Sequence, residues 1–268
     1  MRTERGRQAR GYHRRPGQHG RQDVTKQNPM LGRFLEISLH TPDIVASLAF
    51  YEQLGFTQAT VGEIWQHPYA VVTDGRLCIG LHRYEFQSPA LTFVQPDLER
   101  HVAALEEAGH EFAFKRVGAD VFNEAGFLDP AGQMIALLEA RTFSPPERRS
   151  HEMSRLGWFE EIALPVLNLD TSVAFWEGLG FVPAEESEQP FPHIGLTSDS
   201  LNVALMRSRG LGRTTLVFRD ANMPERIRQL ADTGIEFSQE LPAGLDPTRY
   251  ALLIAPEGTP LLLTTGDD

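Results

Sequence analysis

The chain has 268 residues and a mass of 30.0 kDa, room for two domains of ordinary size, which cluster near about 100–150 residues. Hydrophobic residues at 41% and charged residues at 23% are normal globular proportions, so a wholly disordered or fibrous chain is excluded, and no run reaches the ~18 uncharged apolar residues of a membrane-spanning helix. The one cysteine, Cys78, excludes an intrachain disulfide and a multi-cysteine zinc site, and it fits a reducing, cytoplasmic setting.

The net charge of -11 is unevenly spread. Residues 1–29 carry 8 basic and 2 acidic side chains, which leaves 17 basic and 34 acidic groups for the rest. A body that acidic repels phosphate backbones and attracts cations, which argues against nucleic-acid binding by the folded part. The tail is rich in Arg, Gly and Gln, has no apolar secretory core, and reads as a disordered basic extension; Met30 is then a candidate start, and an RNA-contacting arm is the sharper alternative.

From Phe34 the pattern becomes regular. Leu35, Ile37 and Leu39 alternate with Phe34, Glu36 and Ser38, the period of a two-faced strand. Thr41-Pro42-Asp43 opens a helix whose apolar stripe is Ile44, Leu48, Tyr51 and Leu54, and Gly55 ends it. Strands are expected near 58–64, 69–73 and 76–82. A second strand–helix unit follows from Leu91, with its helix at 97–108, strands near 111–117 and 121–128, a turn at Asp129-Pro130-Ala131-Gly132 and a last strand at 133–139. Ser144 to Ser150 is a polar, proline-broken linker, so the expected organisation is a tail (1–29), a first module (30–142), a linker (143–155) and a second module (156–268).

The second module repeats the first. An offset of 125 aligns Phe34–Phe56 with Phe159–Phe181, and 11 of those 23 positions are identical. The same offset matches Leu91, Phe93, Leu105, Gly109, Glu111 and Phe112, and an offset of 126 matches Pro130 and Gly132 to Pro256 and Gly258. The expected order is βαβββ twice per module and four times per chain. With helices segregated to one face of curved antiparallel sheets, the fold class is α+β.

Two signatures carry a family resemblance: the run from Asp43 to Tyr51 closed by Leu54-Gly55-Phe56, and Asp129-Pro130-Ala131-Gly132-Gln133-Met134-Ile135 entering the final strand. Together they resemble the vicinal-oxygen-chelate superfamily of glyoxalase I, bleomycin-resistance proteins, extradiol dioxygenases and fosfomycin-resistance enzymes. The resemblance covers about residues 31–142 and 156–264 and implies a fold that hosts many chemistries. In the family's metalloenzymes a divalent ion is held in the sheet cavity by His, Gln or Glu from four kinds of position. Those positions correspond here to Glu36 and Glu161, Gly80 and Ala204, Ala90 and Thr215, and Ala136 and Leu262. No combination supplies the roughly three protein ligands that a catalytic site uses, so neither a metal nor another cofactor is expected.

Strand alternation gives the cavity lining without the family. Phe34 and Ser38 share the face of Glu36, and Phe159 and Ala163 that of Glu161; Cys78, Gly80 and His82 add to the first copy, and Asn202, Ala204 and Met206 to the second. A carboxylate on such an apolar face grips a cation, acts as a general base, or simply reaches solvent or a neighbouring arginine such as Arg33 or Arg219. Trp65, Tyr69 and Tyr84 in copy one, and Phe191 and His193 in copy two, are placed to stack on a planar ligand or to pack in the core. His67, His82 and His193 lie on or beside strands as deviant metal ligands or as structural histidines, and Cys78 reads as an inert buried thiol. The candidate ligand-binding residues are therefore Glu36, Glu161, Trp65, His67, Tyr69, His82 and His193. The expected function is a metal-free, sequestering small-molecule binder for a cationic or aromatic ligand. It has no membrane or nucleic-acid partner, its modules pair within the chain, and it is a monomer or a homodimer. The alternative is an enzyme of the glyoxalase, dioxygenase or isomerase type with unorthodox ligands or a Glu base.

Overall fold

A computed structural model describes residues 31–60, 66–139, 153–188, 191–207, 211–242 and 244–266. The basic tail, Met30, Trp65 and the linker residues 144–150 lie outside the described residues.

The first module runs β1 (Arg33–His40), α1 (Ile44–Gln53), β2 (Thr57–Gln58), β3 (Tyr69–Thr73), β4 (Cys78–His82), β5 (Ala90–Gln95), α2 (Leu98–Glu107), β6 (Phe112–Arg116), β7 (Glu124–Leu128) and β8 (Met134–Glu139). The second runs β9 (Trp158–Pro165), α3 (Leu169–Gly178), β10 (Val182–Ser187), β11 (His193–Thr197), β12 (Asn202–Met206), β13 (Thr215–Asp220), α4 (Met223–Asp232), β14 (Ala251–Ile254) and β15 (Pro260–Thr265). Helix starts follow local chemistry. Asp43 and Asn168 accept the backbone N–H of Ala46 and Thr171, closing the first turns of α1 and α3. Helix α2 is capped from a distance: the Glu139 carboxylate at the end of β8 accepts the N–H groups of Asp97 and Leu98, each at 3.0 Å.

The first sheet has the order β2-β3-β4-β1-β5-β8-β7-β6 and the second β10-β11-β12-β9-β13-β15-β14. Both are mixed rather than antiparallel. β1 with β4, β5 with β8, β9 with β12 and β13 with β15 are parallel, because each unit's last strand returns beside its first after an intervening helix. The fourth unit carries one strand fewer than the repeat suggests among the described residues. Its stretch after α4 makes a single ladder-like bond to β14, Ser238 N to Leu252 O at 2.7 Å, and then meets Pro242, which has no N–H to continue a ladder.

Alternation also breaks at one informative point. A register shift between Phe34 and Glu36 sends Phe34 into the main core, edge-to-face with Phe93 at 5.4 Å, instead of onto the face of Glu36. Leu35 joins Val94 and Leu138 on the opposite side. A comparable shift in the β9–β13 ladder accompanies Phe159 packing on Phe218 at 5.7 Å, so neither phenylalanine lines a ligand face as alternation alone suggests.

The helix-bearing faces of both sheets share one apolar core that includes Ile37, Leu39, Tyr51, Phe93, Leu137, Ile162, Trp176, Phe218 and Leu263. Phe56 packs on Phe218 across the seam, and Phe127 on Phe175. Polar ties join the modules as well: Phe34 N to Ser200 Oγ, Thr214 Oγ1 to Gln133 Oε1, Arg155 N to Leu54 O, and the Arg76 guanidinium 4.6 Å over the Trp158 ring. Among the described residues, no helix is long and apolar enough to cross a membrane.

Candidate functional site

The faces turned away from the helices differ sharply between the two copies. In the first, β1 contributes Glu36 and Ser38, β3 Tyr69, β4 Gly80 and His82, and β5 Thr92. Glu36 is buried and accepts from three side chains: Ser38 Oγ to Oε1 at 2.9 Å, Tyr69 Oη to Oε2 at 3.0 Å, and His82 Nε2 to Oε1 at 3.2 Å. Thr92 Oγ1 lies 2.7 Å from Ser38 Oγ and extends the network across the β1–β5 ladder. The other ring nitrogen of His82, Nδ1, meets His67 Nε2 at 3.1 Å. His67 in turn stacks on Tyr84 with centroids 5.3 Å apart, while Tyr69 lies 4.6 Å and Phe86 5.5 Å from the His82 ring. The Tyr84 backbone carbonyl is held by His40 Nδ1 at 3.0 Å.

Tautomers follow from this network. Glu36 receives two hydroxyls, so His82 Nε2 donates to it. His82 Nδ1 then accepts from His67 Nε2–H. Burial, and then the neighbouring His82, push the His67 pKa below its ordinary value, so the ring is neutral near pH 7.

In the second copy the same positions carry different chemistry. Ser38, Tyr69, His82 and Thr92 correspond by strand register to Ala163, His193, Met206 and Val217. Glu161 thereby loses the counterparts of the Glu36 donors: its pKa is raised to about 7, by burial first, with His193 lowering it, Glu160 raising it and Arg219 lowering it. Arg219 itself pairs with Glu160 at 3.1 Å. His193 Nδ1 donates to the Phe191 carbonyl at 2.8 Å. An apolar cluster of Ala163, Ala204, Met206, Leu211, Val217, Leu252 and Leu262 fills this face, with Phe191, Leu241 and Leu245 packed on it. Leu241 and Leu245 come from the stretch that forms no strand.

Four of the candidate residues, Glu36, His67, Tyr69 and His82, thus come together in the first module, and Glu161 lies with His193 in the second. Trp65 lies outside the described residues. Ser38, Thr92 and Phe86 also join the cluster. Ser38 was legible as a lining residue from strand period, but its bond to Thr92 required the β1–β5 register, and Phe86 carried no signal. Asn202 is exposed and donates to the Glu160 carbonyl rather than lining the face. Cys78 is buried and forms no disulfide.

No known protein family and no curated protein matches the sequence. Solved structures do match the fold. A catechol 2,3-dioxygenase aligns with a TM-score of 0.59 and 14% identity over 88% of this chain and 88% of that one. The homoprotocatechuate 2,3-dioxygenase of Arthrobacter globiformis aligns at 0.59 and 16% over 90% and 81%. A 2,3-dioxygenase of Pseudomonas sp. KL28 aligns at 0.56 and 14% over 89% and 94%. The chain has the tandem vicinal-oxygen-chelate fold. At such identities the likeness concerns architecture alone, and the chemistry rests on the side chains present.

Those side chains do not fit the metal centre associated with the vicinal-oxygen-chelate fold. Gly80, Ala90 and Ala136 offer no donor atom beside Glu36, and Ala204 and Leu262 offer none beside Glu161. The space at Gly80 is taken, since a Cβ there would overlap the Glu36 carboxylate. His82 aims its two nitrogens at Glu36 and His67 rather than converging with them on one point. Among the described residues, no group of three or more His, Cys, Asp or Glu is arranged to hold a metal ion.

Proposed function

We propose that the chain is a small-molecule-binding protein that sequesters a flat ligand on the first module without a transition-metal centre. The observation that carries this reading is the Glu36–Gly80 contact: the carboxylate lies where a ligating side chain would stand, and Ser38, Tyr69 and His82 hold it there. His67, Tyr69, Tyr84 and Phe86 supply ring surface beside it, a composition suited to a planar aromatic or cationic ligand. The acidic body favours the cationic case. The second module, with its face filled by leucines, serves as the structural partner that completes the core. The working unit is the single chain with its modules paired, alone or as a homodimer, and it needs neither membrane nor nucleic acid.

The test is thermal unfolding of full-length protein purified without chelator, screened against planar aromatic and cationic compounds, together with elemental analysis. The solved neighbours are named for catechol and homoprotocatechuate, so such rings head the panel. A ligand that binds only the native state raises Tm, by RT ln(1 + [L]/Kd) in free energy. The expected results are a rise that Tyr84→Ala diminishes, weaker binding of the cationic compounds in Glu36→Gln, and less than one transition metal per chain. Stoichiometric zinc, nickel, manganese or iron, or a flat Tm across the panel, overturns the reading.

A further inference from the structure

A second cavity lies at the seam between the modules, where the repeat brings the same two loops of each copy together. Residues 87–89 and 131–133 of the first module and residues 212–214 and 257–260 of the second line one cleft of about 380 Å³, within the size range of small-molecule sites. We infer that this cleft binds a small zwitterion, of the class of a free amino acid with a short side chain, its carboxylate on Arg213 and its ammonium on Glu257. The inference is independent of the binding reading above, since none of the rings beside Glu36 lines the cleft.

Three observations carry it. The loops are equivalent, 87–89 to 212–214 by the offset of 125 and 131–133 to 257–259 by that of 126, and Thr214 Oγ1 ties them together by donating to Gln133 Oε1 at 2.6 Å. The charges are not part of the repeat: Arg213 stands where the first module has Ser88, and Glu257 where it has Ala131. The two opposite charges line one cleft, yet each is anchored elsewhere rather than to the other. Arg213 Nη1 donates to the Gly258 carbonyl at 3.0 Å, its Nη2 lies 3.9 Å from Glu240, and more than half of the side chain is exposed. Glu257 is half-buried and accepts the Tyr51 and Ser47 hydroxyls, one on each oxygen.

The capacity left over defines the ligand. The guanidinium keeps N–H donors beyond the one given to Gly258, enough for a ligand carboxylate, and each Glu257 oxygen keeps a second lone pair for an ammonium N–H. A lone anion would bring its charge beside Glu257, and a lone cation beside Arg213. A molecule carrying both charges close together matches both groups and, having no net charge, is not repelled by the acidic body. The rest of the wall includes Leu164, Pro165 and Pro260, a surface suited to a short aliphatic side chain. Binding is non-covalent, and no bond is made or broken.

Ligand-observed NMR titration of full-length protein near neutral pH tests this with three probes: L-alanine, propionate, which lacks the ammonium, and ethylamine, which lacks the carboxylate. L-Alanine is expected to bind about tenfold or more tightly than either of the others, the effect of one hydrogen bond to a charged group. Arg213→Gln changes a side chain that is 55% exposed, so the fold is kept; it is expected to weaken L-alanine by about the same factor without weakening ethylamine. Arg228→Gln removes the same charge from the exposed surface of α4, where Arg228 pairs with Glu225, and is expected to leave L-alanine binding unchanged. No binding of L-alanine, equal affinities for the three probes, or equal effects of Arg213→Gln and Arg228→Gln overturns the inference.

Discussion

The Tyr51 hydroxyl donates to Glu257 Oε1 at 2.7 Å across the seam between the modules, and Trp176, its counterpart 125 positions on, donates its indole N–H to Asp129 Oδ2 at 3.3 Å. The two contacts are related by the repeat, yet the acceptors are not equivalent. Asp129 opens its turn at the position occupied by Ala255 in the second copy, while Glu257 takes the position of Ala131. Each helix found a carboxylate on the other module's turn by a different route. Ser47 Oγ adds a second bond to Glu257 at 2.8 Å, and burial first, then Glu257, pushes the Tyr51 pKa well above its ordinary value, so the phenol stays protonated and donates.

Removing that donor leaves a half-buried carboxylate short of one bond. Tyr51→Phe is expected to destabilise the chain by about 1.5–3 kcal/mol, the range for hydrogen bonds to charged groups, read from urea unfolding. Combining it with Glu257→Gln should give less than the sum of the two single losses. Strict additivity would show that the contact contributes nothing.

Cutting the chain within the linker, near Pro146, should leave the two halves associated, because one apolar core spans both modules. Size-exclusion chromatography of the nicked protein checks this; two separate peaks of module size contradict it.

Gly80→Ala should cost on the order of 1–3 kcal/mol, because the Glu36 carboxylate overlaps the new methyl and cannot move without releasing buried donors. Adding Glu36→Ala to the same chain should cost less than Glu36→Ala does alone, as the methyl then enters vacated space. A Gly80→Ala chain as stable as the wild type sinks the claim that the carboxylate occupies this site.

Glu161 gives the pH dependence. Its folded pKa is raised to about 7 from an unperturbed 4.5, so the folded state binds a proton that the unfolded chain has released. The stabilisation is fully present below pH 4.5 and is lost as pH rises through about 7. Glu161→Gln should therefore flatten stability between those limits and leave the variant more stable than the wild type at pH 8, by on the order of 1–3 kcal/mol. Parallel stability–pH curves for the two proteins would show that Glu161 titrates normally.

Much of the architecture was legible because it is written in local periods. The offset of 125 located both modules, and the placements of α1, α2, β3 and β8 came out within a residue or two of their observed bounds. Helix caps at Asp43 and Asn168 are short-range events. The misreadings share a different cause. Phe34 left the expected face through a register shift against β5, and among the described residues of the fourth unit Leu241 and Leu245 pack on the second sheet from a stretch that forms no strand. Both were decided by a partner distant in sequence.

The site divides along the same line. At the positions the family resemblance marks, residue types showed that Gly80, Ala90 and Ala136 beside Glu36, and Ala204 and Leu262 beside Glu161, carry no donor, since glycine, alanine and leucine lack one in any conformation. Strand alternation set Ser38 and His82 beside one glutamate and Ala163 and Met206 beside the other, but which of these bond to the carboxylates was beyond the sequence. Tertiary structure separated them: strand pairing surrounds Glu36 with Ser38, Tyr69 and His82 and surrounds Glu161 with Ala163, Met206 and Val217. A carboxylate's charge state and partners depend on what lies within a few ångströms, and beside Ser38 on its own strand Glu36 is met by Tyr69 and His82 from strands 33 and 46 positions away in the chain.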